Sequence, residues 1–107
     1  MKKKLMIGWT TVSTEREAEE LANGLVQEGF AACVQIDGPI RSFYRWKGDI
    51  KSNMEYRLTV KFPGAHNDAI TKYFQKHHPY ETPAWIACKP KDVLPAYHLW
   101  ALKQTDV

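Results

Sequence analysis

Apolar positions along this chain change period several times, and each change marks the boundary of an element. Residues 5–12 are a short apolar run rich in β-branched and aromatic types, which predicts a buried strand. Thr14 with Glu17 three residues later has the pattern of a capping box. Ala18, Leu21, Ala22, Leu25 and Val26 then recur at helical spacing, while Glu15, Arg16, Glu19, Glu20 and Gln27 lie off that stripe. Gly29 is a natural helix stop. Residues 31–36 predict a second strand, Asp37-Gly38-Pro39 a bulge or bend, and 40–46 its continuation. Along that continuation Arg41, Phe43 and Arg45 alternate with Ser42, Tyr44 and Trp46. Lys47-Gly48-Asp49 is turn chemistry, and residues 53–62 return as a third strand. The middle of the chain is therefore one long β-ribbon.

Pro63-Gly64 ends the ribbon, and a helix over about 65–77 places Ala69, Ile70, Tyr73, Phe74 and His77 on one face. A loop over 79–83, a fourth strand over 84–89 and a short helix from Pro95 through 102 complete the chain. The order is α+β: a ferredoxin-like βαββαβ sandwich with a long ribbon of the second and third strands and a C-terminal helix. Residues 1–107 are expected to form one domain. The usual sheet order, 4-1-3-2, sets Cys33 and Cys88 on opposite edges, about 14 Å apart over three strand spacings, too far for a disulfide. A ribbon longer than its sheet exposes unpaired backbone beside Phe43, Tyr44, Trp46 and Tyr56, which predicts pairing with further copies in a closed ring.

Composition narrows the classes. Fifteen basic against twelve acidic residues give a net charge of +3. The one dense basic run, Lys2-Lys3-Lys4, reads as a solvated tip, and the remaining charges are scattered, which argues against a nucleic-acid surface. No apolar stretch approaches the ~20 residues of a membrane span, and the run after the lysines is too short for a signal peptide. The two cysteines have neither metal-knuckle nor framework spacing. These features predict a cytoplasmic protein with two reduced, buried thiols.

Chemistry concentrates in His77-His78-Pro79-Tyr80-Glu81-Thr82-Pro83. The prolines stiffen the loop, and imidazole is a common ligand for borderline transition metals. His77 continues the apolar stripe, which predicts a core histidine, with a metal ligand as the alternative; His78 points off it toward solvent. Lys61, at the end of an apolar strand, needs a partner. An ion pair with Glu55 or Glu81 of another subunit would supply one. A cleft between subunits lined by Lys61, Trp46, Tyr44, Glu81 and His77 would instead take a small anion or metabolite. No nucleophile beside a base and no glycine-rich phosphate loop appears, so the reading is not an enzyme.

Six segments resemble the CutA family of divalent-cation-tolerance proteins. They are Thr10-Thr11; Glu28 to Val34, similar to a recurring Leu-Ala-Ala-Cys turn; and Ser42 to Gly48, similar to its Ser-x-Tyr-x-Trp-x-Gly hairpin. The others are Glu55, Leu58 and Lys61; the His-His-Pro-Tyr-x-Thr-Pro loop at 77–83; and Tyr97-His98-Leu99-Trp100. The resemblance implies a ferredoxin-like homotrimer linked to tolerance of copper and other divalent metals, with no required cofactor. In copper-binding members a cysteine, a loop histidine and a glutamate have been implicated; the corresponding positions here are Thr10, His77 and Ala84. The expectation is a non-catalytic trimer that binds Cu(II) weakly, without nucleic-acid or membrane partners. The competing expectation is a trimeric small-molecule sensor like the nitrogen-regulatory PII proteins, against which the short turn at residues 47–49 counts.

Overall fold

The structure, a computed structural model, describes residues 3–106; Lys2 of the basic run lies outside them. The elements are β1 (Leu5–Val12), α1 (Glu15–Gln27), β2 (Cys33–Trp46), β3 (Asp49–Pro63), a 3-10 turn (Gly64–His66), α2 (Asn67–His77), β4 (Ile86–Cys88) and α3 (Pro95–Gln104). The four strands pair antiparallel in the order β2-β3-β1-β4, the expected ferredoxin-like sheet. No described helix is long and apolar enough to cross a membrane.

Local chemistry sets the ends of α1. Thr14 holds extended φ/ψ (−130°, 155°), and its hydroxyl accepts from the Glu17 N–H at 3.1 Å. At the other end Gly29 takes φ +76°. Its N–H donates to Val26 O and that of Phe30 to Leu25 O, the two bonds of a Schellman stop. Ala18, Leu21, Ala22 and Leu25 are buried as the stripe predicts, but Val26 is 46% exposed, at the edge of the face.

Val12, Leu58, Val60 and Phe62 of the sheet meet α1 and α2, with Ile70 and Phe74 from α2, in the main core. Burial of each such side chain stabilises by about 1.5–3 kcal/mol. A smaller cluster, Leu5, Ala32 and Ala101 with Val93 and Tyr97, forms under α3 on the opposite face. Cys33 is half-buried and Cys88 exposed on the three-residue edge strand, so the expectation of two buried thiols holds for neither in full. That strand is shorter than residues 84–89 because β1 offers it only Ile7, Gly8 and Trp9.

The bulge decides which side chains face where. Asp37 pairs with Arg57 and Ile40 with Glu55, so β2 spends one more residue than β3 between the two pairs. Val34 and Ile36 pack against the main core, yet beyond the bulge the even positions Ser42, Tyr44 and Trp46 share the opposite face with Glu55. Phe43 falls on the other face, with Ile50 and Met54 across the ribbon. Lys47 and Gly48, at φ +52° and +86°, close the hairpin as a type I′ turn. β3 therefore begins at Asp49 rather than 53: the hairpin register supplies backbone bonds even to the polar Lys51-Ser52-Asn53. β1 stops opposite Tyr56, so the ribbon tip pairs only with itself. The radius of gyration is 14.4 Å, against roughly 13 Å for a compact chain of this length.

Candidate functional site

The loop after α2 brings the C-terminal end of β1 together with the base of the ribbon. His78 follows the last helical residue and takes extended φ/ψ (−71°, 134°), which turns its ring back over β1. The Tyr80 N–H donates to His78 Nδ1 at 3.1 Å, so the proton resides on Nε2, which donates to Thr10 Oγ1 at 2.9 Å. Burial pushes this imidazole below its ordinary value, against the pull of the Glu17 and Glu55 carboxylates and a backbone hydrogen bond at Thr11. Glu17 Oε1 is itself buried without a hydrogen-bond partner among the described residues.

Two residues after His78, the Tyr80 hydroxyl donates to Glu55 Oε2 at 2.6 Å, and the Ser13 hydroxyl, 3.0 Å away, donates to Tyr80. Burial works to raise the Glu55 carboxyl, but hydrogen bonds from Ser42, Tyr80 and Thr11, with His78 nearby, together hold it below the usual carboxylate range. Burial and the bond to Glu55 push the Tyr80 phenol up to about 12. At neutral pH the site thus holds an anionic Glu55, a neutral His78 and a neutral Tyr80.

Above this network lies a cleft of about 500 Å³ between the ribbon and the loop. Tyr44, Trp46, Glu55, Tyr80 and Glu81 line it, with Thr11, Ser42 and loop residues to Ala84. Three expected lining residues, Trp46, Tyr44 and Glu81, come together here. Lys61 does not join them within the chain: it shares the Glu55 face of β3, but six residues, ~20 Å of strand, separate the two. Its Nζ instead stands 5.7 Å over the Tyr97 ring of α3.

The two histidines exchange the environments expected of them. His77 is exposed, its ring 4.3 Å from that of Tyr73, whereas His78 is buried against Phe74 at 5.5 Å. Buried Ile70 and Phe74 are four residues apart, and His78, not His77, continues that row once the helix ends. His77 sits in a shallow groove with Glu28, Phe30, Lys72 and Lys76, away from the cleft. The partner of Thr10 is accordingly His78. Among the described residues no three His, Cys, Asp or Glu side chains stand close enough to hold a metal ion. Sequence reasoning missed the hydroxyls of Ser13 and Tyr80 and the role of Glu55 in the cleft; the one available signal was a glutamate in phase with the ribbon's tyrosine and tryptophan across the bulge.

Residues 6–104 match the family described as "CutA1 divalent ion tolerance protein". A "Protein CutA homolog" from Xenopus laevis is 32% identical over 96 residues, which cover 90% of this chain and 64% of that protein. The chain thus spans less than two thirds of that relative's length. A "Divalent-cation tolerance protein CutA" from Yersinia pestis (strain Pestoides F) is 32% identical across 84% of this chain and 76% of the relative. The crystal structure of CutA1 from Ehrlichia chaffeensis superimposes with a TM-score of 0.92 at 28% identity, covering all of both chains.

Proposed function

Because this chain belongs to the CutA1 divalent ion tolerance family, we propose that it works as a non-catalytic cytoplasmic homotrimer that meets divalent cations such as Cu(II) weakly, at His77. One observation carries the metal reading. His77 is exposed and, among the described residues, is the one imidazole without a hydrogen bond: His66 engages Phe30 O, His98 engages Lys3 O, and both nitrogens of His78 are occupied. A single imidazole binds without the ligand set and geometry that confer selectivity. Unpaired thiols at Cys33 and Cys88 support a reducing compartment, and the projecting ribbon supports assembly.

Calorimetric titration of metal-free protein with Cu(II) tests this reading. Weak binding that His77→Ala removes and His78→Ala leaves is expected. Tight binding, or binding indifferent to His77, would overturn it.

The cleft favours a second reading, a trimeric carrier or sensor of a small molecule. Its volume lies in the range of ligand sites, and its polar groups are pre-positioned by hydrogen bonds. The two-residue turn after Trp46 leaves no long loop of the kind PII-like sensors use.

A further inference from the structure

The chemistry of the cleft walls selects a ligand class. Two carboxylates, Glu55 and Glu81, and three aromatic rings, Tyr44, Trp46 and Tyr80, line the space, and no lysine or arginine among the described residues does. Within the chain, an anionic ligand would meet Glu55 with no counter-charge. A bare metal ion needs several ligand atoms converging at about 2.0–2.6 Å, and among the described residues no three metal-ligating side chains stand together. Aromatic faces beside a carboxylate stabilise one kind of guest well: a cation bulky and weakly hydrated enough to be desolvated against a ring.

Resting on the small-molecule reading above, we propose that this cleft binds a small organic cation, a protonated amine or quaternary ammonium group, with its charge against Glu55 and the rings of Trp46 and Tyr44. The architecture fits this guest. Ser42, Tyr44 and Trp46 share one face of the ribbon by alternation, and the bulge, by inverting the phase of β2, makes that face the one carrying Glu55. Asn53 Nδ2 hydrogen-bonds the Tyr44 hydroxyl, which fixes that ring at the cleft wall. Tyr80 donates to Glu55, so one carboxylate oxygen is oriented while the group keeps its charge. Within the chain Lys61 stands over Tyr97 at the far end of β3 and supplies no positive charge to this cleft. Pro79 and Pro83 stiffen the loop that forms the remaining wall.

Tetramethylammonium chloride, titrated into the assembled protein with calorimetry or saturation-transfer NMR as the readout, tests the assignment. The controls are tert-butanol, a neutral analogue of similar size, and sodium acetate. Tetramethylammonium should bind saturably and at least about tenfold more tightly than tert-butanol. Trp46→Ala should weaken it about tenfold. Glu55→Gln, which preserves volume and still accepts from Tyr80, should weaken it comparably, as should Glu81→Gln at its exposed loop position, though by less. Light scattering on the same samples reports assembly separately. Binding in a protein that is not a trimer leaves this assignment standing and removes the trimer. Saturable acetate binding without tetramethylammonium binding keeps a ligand cleft and overturns the organic cation. No preference over tert-butanol, or equal affinity in Glu55→Gln, overturns it as well.

Discussion

Adjacent histidines can share a sequence motif and have opposite fates, because one is the last residue of a helix and the next the first of extended chain. That change of backbone sends His78 under the loop and leaves His77 outside. The titration behaviour of the site follows. His78 is depressed from 6.5, so the unfolded chain takes up its proton first, and stability is lost as pH falls below about 6.5. Glu55 is depressed from 4.5, and its contribution, present above that value, is lost on further acidification. Tyr80 is raised from 10.0 to about 12, so its contribution is complete below pH 10 and disappears on the way to 12. Thermal melting at stepped pH should therefore show a plateau with losses on both sides. Tyr80→Phe should flatten the alkaline loss without abolishing it, since burial and Glu28 also raise Tyr73. An alkaline limb identical in Tyr80→Phe and the parent would refute the assignment.

At the scale of elements, the pieces are held by close approaches that tolerate little. The Trp85 ring lies directly on Gly8 of β1, where a Cβ would overlap it. The ring has nowhere to move, being packed against Phe62 (5.5 Å) and Phe74 (5.1 Å), with its N–H donating to Asn67 at 2.9 Å. Gly8→Ala should cost about 1–3 kcal/mol through overpacking, read as a lower urea midpoint; an unchanged midpoint would mean that β4 and the loop before it give way freely. The bulge acts differently. It adds no buried area, yet its single extra residue decides that Tyr44 and Trp46 face the loop while Phe43 faces away.

For the whole molecule, the ribbon is the dominant feature: the principal extents are 45 × 26 × 21 Å. One face of its tip is the cleft wall. The other carries Phe43 and Ile50, 69% and 70% exposed, with Met54. Apolar area of that kind on an unpaired ribbon favours burial against further copies. Light scattering should give three times the 12.4 kDa of one chain. The double substitution Phe43→Lys with Ile50→Lys should lower that mass without altering side chains that line the cleft. A parent protein at the mass of one chain would refute the assembly.

The sequence alone determined whatever depends on short-range order. Thr14 and Gly29 bounded α1, hydrophobic period separated strands from helices, and paired turn residues marked the ribbon and its interruption. Tertiary structure decided what depends on phase and distance. One residue of bulge inverts a strand's faces, one change of backbone at the end of α2 exchanges two histidines, and six residues of extended β3 part Lys61 from Glu55. Periodicity fixes the spacing of side chains within an element but not the rotation at which the next element begins. The residues of the cleft come from β1, β2, β3 and the loop after α2, and only the packing of those elements brings them together.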